Sequence, residues 1–161
     1  MRTDKNGVTL KPATRSDIPT LVEFRIIFLK EIQGPCSPEP EAVLRDSLKE
    51  YFTKSMMQGL FIAWIAWDDD KPVGFSGMVI REQPGTLALP GGRTGYILNM
   101  FTLAAYRKLG ICSLLFGKLI AEAMKLNLDK VELHATREGE PVYRKFNFRE
   151  PHDVALELIL Q

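Results

Sequence analysis

The chain has 161 residues, of which 45% are hydrophobic and 25% are charged, enough apolar material for one domain with a buried core. Its formal net charge at pH 7 is only +1, which argues against a dedicated nucleic-acid-binding protein, because such proteins carry a large basic excess. The N-terminus lacks a secretion-signal pattern, and no apolar run is long enough to span a membrane. We therefore expect a single domain over residues 1–161 that is cytoplasmic and binds neither nucleic acid nor a membrane.

The sequence offers no convincing metal site. Cys36 and Cys112 lie in unrelated contexts and lack the spacing of zinc ligands or of a disulfide framework. The aspartates from Asp68 to Asp70 provide hard oxygen donors, but consecutive residues of a tight turn point in different directions. We expect no bound metal.

The first sixty residues read as one strand followed by two helices. A strand is expected from Val8 to Ala13. Apolar residues at helical spacing predict a first helix from Ile18 to Gly34, and the prolines that follow end it. A second helix is expected from Pro40 to Gln58.

The middle of the chain reads as three strands and a helix. Two apolar stretches, Leu60 to Trp67 and Val73 to Ile80, flank an aspartate-rich turn and predict a β-hairpin. The segment from Glu82 to Arg93 is rich in Gly and Pro and predicts a flexible connection. The uncharged stretch from Gly95 to Leu103 predicts a strand covered on both faces, and a mostly apolar helix begins near Gly110.

The junction between that strand and that helix carries the first chemical signal. The first turn of a helix has unpaired backbone N–H groups at the positive end of the helix dipole. Gly110 allows a ligand to approach the backbone, and Arg107 and Lys108 add positive charge. The segment therefore suits a pyrophosphate, and the alternative is a basic turn that only starts a core helix.

The last third of the chain adds a second signal. A strand is expected to begin at Lys130, and a short helix is expected from Glu138 to Phe146, with Asn147 in the left-handed position after its end. The phenol of Tyr143 stays protonated at neutral pH and can serve as a general acid, although packing on one helix face is the alternative. A closing strand is expected from Val154 to Leu160.

Two motifs resemble signatures of the GNAT acetyltransferases, in particular bacterial single-domain members. The pattern Arg107-x-x-Gly110-x-Cys112 resembles Gln/Arg-x-x-Gly-x-Gly/Ala, with Cys112 as a departure. The segment from Tyr143 to Phe148 resembles Tyr-x-x-x-Gly-Phe, with Asn147 in place of Gly. The resemblance implies an α/β (α+β) GNAT fold, in which helices flank a mixed, mostly antiparallel sheet in the order β-α-α-β-β-β-α-β-α-β.

The resemblance also implies the chemistry: transfer of an acetyl group from acetyl-CoA to a primary amine by direct attack. The end of the central strand would hold the pantetheine arm and polarise the thioester carbonyl, and the basic turn would hold the pyrophosphate. Thr136 stands where many members have an Asn that contacts pantetheine, and Tyr143 would protonate the departing thiolate. The predicted cofactor-binding residues are Met100, Phe101, Thr102, Arg107, Lys108, Leu109, Gly110, Ile111, Cys112, Ser113 and Thr136.

Several points stay open at this level. Asn99 stands near the place of a carboxylate found in some relatives, so no general base is assigned. Glu31, Glu50 and Tyr51 are candidates to face the acceptor, which the sequence does not identify.

A homodimer is compatible with the resemblance, because many members are dimers. The alternative function is a catalytically silent domain that binds acyl-CoA as a sensor or interaction module. A nucleotide-phosphate site is disfavoured because a P-loop ending and three spaced glycines are missing.

Overall fold

One five-stranded sheet organises residues 7–160, the part of the chain that this computed structural model describes. The strands are β1 (Thr9–Pro12), β2 (Phe61–Asp68), β3 (Lys71–Glu82), β4 (Arg93–Thr102) and β5 (Lys130–Leu133). They lie side by side in chain order; the first four are antiparallel neighbours, and β5 runs parallel to β4. The predicted mixed, mostly antiparallel sheet is confirmed.

Helices cover both faces of this sheet. They are α1 (Ile18–Gln33), α2 (Pro38–Met57), α3 (Ile111–Lys125) and α4 (Glu140–Arg144), with short 3-10 turns at Arg15–Asp17 and Ala104–Tyr106. The predicted bounds of α1, α2 and α3 are confirmed to within about two residues, because long apolar stripes at helical spacing define them well. Asn147 follows α4 with φ of +64°, the left-handed conformation predicted for it.

Aromatic side chains fill the core on both faces. On the face of α1 and α2, the Phe24 ring stacks on the Phe75 ring with centroids 5.2 Å apart. On the opposite face, the fully buried ring of Phe116 from α3 contacts three rings of the last segment, those of Tyr143, Phe146 and Phe148. Because α4 is too short to be stable alone, this aromatic cluster holds it against the sheet.

The sheet opens on one side of β4. Pairing between β4 and β5 ends at Ile97 and Leu133, whereas β4 continues to Thr102. Residues 98–102 therefore keep β3 as their neighbour, but within the described part of the chain they have no strand on their other side. The resulting gap lies directly before the turn that leads into α3.

The predicted closing strand from Val154 to Leu160 is wrong for the described chain. These residues form neither strand nor helix, and their apolar side chains are exposed, with Leu156 at 92%. An apolar alternating pattern indicates β propensity, but a strand also needs a neighbouring edge to accept its hydrogen bonds. Within residues 7–160 the element order thus ends at α4, one strand earlier than expected.

Within residues 7–160, no helix combines the length and apolar character needed to cross a membrane. In the same range, no three His, Cys, Asp or Glu side chains converge in a way that could hold a metal ion. Cys36 is an exposed free thiol, and Cys112 is a partly buried one.

Candidate active site

A cleft of about 860 Å³ occupies the gap beside the end of β4. Its walls come from the end of β4, the turn after it, the first turn of α3, the segment around α4 and one face of α1. Ten of the eleven predicted cofactor-binding residues line it: Met100, Phe101, Thr102, Arg107, Lys108, Gly110, Ile111, Cys112, Ser113 and Thr136. Leu109, the remaining one, is absent from the lining, and its side chain is 49% exposed.

The N-terminus of α3 points unpaired backbone donors at this cleft. Gly110 precedes the helix in the left-handed conformation, with φ of +78°. The N–H of Leu114 donates to the carbonyl of Gly110 at 3.1 Å, so the N–H groups of residues 111–113 precede the first N–H that is hydrogen-bonded within the helix. Together with the helix dipole, these donors form an arrangement that binds phosphate.

Arg107 ties the turn to its two neighbouring elements. Its Nε donates to the carbonyl oxygen of Thr102 at 2.9 Å, and its Nη2 lies 2.7 Å from each carboxylate oxygen of Glu31 on α1. The guanidinium is therefore largely engaged in holding the turn against β4 and α1.

Basic side chains without a carboxylate partner also lie along the cleft. Lys108, Arg137 and Lys145 line it, and none of them forms an ion pair within residues 7–160. Lys108 adopts the left-handed conformation, with φ of +63°. The cleft thus combines backbone donors with mobile positive charge, a donor set that fits a pyrophosphate.

Tyr143 lies behind the cleft wall. Its residue surface is 8% exposed, its ring packs on Phe116, and it is not itself a lining residue. Burial, with a smaller contribution from the nearby Cys112 thiol, raises the pKa of the Tyr143 phenol to about 12. A Cβ added at Gly139, a lining residue, would lie 3.6 Å from the Tyr143 hydroxyl. The hydroxyl therefore lies close to the cleft and stays protonated at neutral pH.

Thr136 is engaged in local structure. Its hydroxyl accepts the backbone N–H of Gly139 at 3.2 Å, and its carbonyl accepts the N–H of Glu140 at 2.9 Å. These contacts shape the turn before α4, while the residue also lines the cleft.

A bulge in β4 introduces polar atoms that the sequence patterns did not reveal. One β3 residue, Ser76, lies opposite two β4 residues, Asn99 and Met100, and Asn99 has φ of +60°. The Arg25 Nη1 donates to the Asn99 Oδ1 at 2.5 Å. The Asn99 Nδ2 and the Ser76 Oγ are buried without a partner within the described residues. Buried polar atoms are rarely left unpaired, and here two of them lie together at one bulge.

One face of α1 forms the wall on the far side of the cleft. Phe28, Glu31 and Ile32 line it, at the spacing of three and four that places helical residues on one face. Of the residues considered as facing an acceptor, Glu31 lies in this cleft, whereas Glu50 and Tyr51 do not line it.

The sequence profile of the Acetyltransferase (GNAT) family matches residues 26–148, which is more than half of the chain. The chain belongs to the GNAT acetyltransferase family. No curated protein sequence matches the chain significantly.

Solved structures of GNAT proteins share this fold. A predicted acetyltransferase from Clostridium acetobutylicum, crystallised with acetyl-CoA, is 28% identical, with a TM-score of 0.86 over 94% of this chain and 96% of that one. A GCN5-related N-acetyltransferase from Ralstonia eutropha JMP134 is 21% identical, with a TM-score of 0.80 over 94% and 99%. An aminoglycoside acetyltransferase from an uncultured soil metagenomic sample is 16% identical, with a TM-score of 0.71 over 98% and 99%. The last two likenesses concern the fold alone.

Proposed function

We propose that this GNAT acetyltransferase transfers an acetyl group from acetyl-CoA to a primary amine by direct attack. The observation that carries the proposal is the cleft in which the unpaired side of β4 meets the N-terminus of α3. The similar Clostridium protein crystallised with acetyl-CoA supports the choice of cosubstrate. We propose a cytoplasmic location, which the exposed free thiol of Cys36 supports, because such thiols persist in reducing compartments.

Two groups of residues would hold the cosubstrate. The N–H groups of residues 111–113, aided by Lys108, would bind the pyrophosphate, and Arg107 would keep the turn in place through Thr102 and Glu31. The backbone from Met100 to Thr102, which has no strand neighbour on the cleft side, would bind the pantetheine arm. Thr136 would contact that arm through its exposed surface.

The reaction would proceed in one transfer step. The amine nitrogen attacks the thioester carbonyl carbon, a C–N bond forms, the C–S bond breaks, and the CoA thiolate takes a proton. Backbone N–H groups of β4 would stabilise the negative charge that develops on the carbonyl oxygen. Tyr143 would donate the proton to the thiolate, and water would carry away the proton of the amine, because Glu31 is engaged with Arg107.

A second candidate is a domain that binds acyl-CoA without transferring the acyl group. Two observations favour it: the Thr136 hydroxyl already has a backbone partner, and the Tyr143 ring is packed in the core. The two candidates share the cosubstrate site and differ in whether an amine releases free CoA thiol.

The Gly110→Glu substitution is expected to abolish acetyl-CoA binding, because it places a carboxylate where the pyrophosphate would bind. Wild-type protein should gain roughly 5–10 °C in melting temperature with acetyl-CoA or CoA at about 100 times the dissociation constant. ATP and NAD should raise the melting temperature of the wild-type protein less. The Gly110→Glu variant should show no rise with acetyl-CoA or CoA. Thermal unfolding in parallel with the four ligands measures this.

The controls separate binding from stability. Gly117→Glu adds the same side chain to α3 at a position where an added Cβ meets no atom within 4 Å, and it should keep the shift. Because Gly110 has a positive φ, Ser113→Glu provides a second test without backbone strain. Retained acetyl-CoA binding in both cleft variants would refute the assignment of the turn.

The Tyr143→Phe substitution should lower the turnover number about 100-fold or more while leaving the acetyl-CoA thermal shift unchanged, because a general acid typically contributes this much. Since burial raises the Tyr143 pKa to about 12, the wild-type rate should not fall through loss of this proton below about pH 10. Release of CoA thiol across a panel of amines measures the turnover number of the variant and the pH dependence of the wild-type rate. Tyr51→Phe, at a tyrosine that does not line the cleft, is the control. A variant as fast as wild type would remove Tyr143 from this role.

We also propose a homodimer built by residues 154–160. Five large apolar side chains in this stretch are at least 80% exposed and stand outside the core of residues 7–160: Val154, Leu156, Leu158, Ile159 and Leu160. The sheet ends at β5, whose outer edge has no neighbour within the described residues. Strand pairing of the segment with the β5 edge of a second copy would cover both features.

Light scattering should therefore give twice the monomer mass at micromolar concentration. The double variant Leu156→Glu, Leu158→Glu should be monomeric, because it places charge on one face of the pairing strand. Glu157→Gln, between them, should remain dimeric. A monomeric wild-type protein would contradict the proposal.

A further inference from the structure

Arg25 is a partly buried cation without an acidic partner. Its Nη1 donates to the neutral Asn99 Oδ1 at 2.5 Å, and its guanidinium lies 5.7 Å from the centroid of the Phe28 ring. Among residues 7–160, no carboxylate lies within ion-pair distance of it. Burial lowers the pKa of the Arg25 guanidinium, although an arginine stays charged in a protein. The other arginine of the α1–α2 pair, Arg45, forms ion pairs with both Glu23 and Glu41.

Arg25 lies one helical turn before the α1 residues that line the cleft, and it is not itself a lining residue. Phe28 and Ile32 line the cleft, and Arg25 precedes them on the same face of α1, at i, i+3 and i+7. Its partner Asn99 immediately precedes Met100, the first β4 residue of the cleft lining. The guanidinium therefore lies beside the end of the cleft where the thioester carbonyl would be polarised.

The bulge around Asn99 provides an independent sign of an incomplete polar site. Asn99 is 2% exposed, its backbone is left-handed, and its Nδ2 has no hydrogen-bond partner within the described residues. The neighbouring Ser76 Oγ is likewise buried without a hydrogen-bond partner within the described residues. Strained backbone and unpaired buried polar atoms cluster at functional sites more often than in ordinary sheets.

We propose that Arg25 binds the carboxylate of the acceptor, so that the substrate of this enzyme is an amine carrying a carboxylate, such as an amino acid. This inference rests on the proposed transfer function and specifies its acceptor. A planar guanidinium with unused N–H donors matches a carboxylate through two parallel hydrogen bonds. One unpaired positive charge also balances one carboxylate, whereas a phosphate would bring more negative charge than the site neutralises.

The experiment measures kcat/KM for the twenty L-amino acids and for their C-terminal amides, which differ only in the carboxylate. Wild-type protein should use at least one amino acid, and Arg25→Gln should lower kcat/KM for that acid by about 10- to 100-fold while changing the value for its amide little. The amine of an amide is intrinsically more reactive than the amine of the free acid. This difference cancels when wild type and variant are compared on the same substrate.

A second variant tests the charge balance without removing Arg25. Asn99→Asp keeps the shape of the side chain and tolerates the left-handed backbone, but it gives Arg25 an internal carboxylate. It should lose activity on the acid selectively, as Arg25→Gln does. Arg45→Gln changes an arginine that is already paired with carboxylates. It should leave the ratio of kcat/KM for the acid to kcat/KM for the amide unchanged.

The outcomes separate this inference from the transfer function. If amides and acids are used equally by wild type, or if Arg25→Gln lowers both equally, the carboxylate role is overturned while acetyl transfer stands. If no amine releases CoA thiol, the transfer function fails, and the amino acids are then tested as ligands of the CoA-saturated protein by thermal shift. A shift that depends on Arg25 would support the carboxylate site, and its absence would overturn it.

Discussion

The separation of β4 from β5 is the constraint on which the candidate site depends. Beyond Ile97, β4 has a hydrogen-bonded neighbour among residues 7–160 on one side only, so a stretch of central strand borders a cleft instead of another strand. Backbone groups inside a sheet are normally satisfied by the next strand. Here a ligand can take that place, and the same chain direction leads directly into the N-terminus of α3, a second set of unpaired donors. The two halves of the proposed acyl-CoA site therefore arise from one local departure from regular pairing.

The cationic side chains around this gap fall into two groups: those held by a protein partner, and those without a carboxylate partner within residues 7–160. Arg107 is bound by Thr102 and Glu31 and so acts through the position of the turn. Lys108 is unpaired within residues 7–160 and is available to an anionic ligand. Arg25, one helical turn before the cleft-lining residues of α1, has the neutral Asn99 amide as its only hydrogen-bond partner within residues 7–160. This division supports the proposals of a pyrophosphate site beside Lys108 and of an acceptor carboxylate beside Arg25.

The sequence predicted those features that depend on residues close together in the chain. The helix α3 and the left-handed Gly110 before it follow from an apolar stripe and from the one residue that adopts positive φ without strain. Val154 to Leu160 shows the limit, because its pattern fixes β propensity but not the partner edge on which a strand depends. The contact between Arg25 and Asn99 joins residues 74 positions apart through a bulge, and no spacing in the sequence encodes it. The cleft lining was largely predictable because the family motifs mark it, whereas the acceptor side has no motif.

Hydrogen–deuterium exchange with and without saturating acetyl-CoA shows whether the cosubstrate binds along β4 and at the start of α3, because it locates the bound molecule on the backbone. We expect slower exchange at residues 98–102 and at residues 111–113, with β1 and β2 unchanged. Unchanged exchange at both segments under saturating acetyl-CoA, or protection confined to another part of the chain, would contradict this binding site.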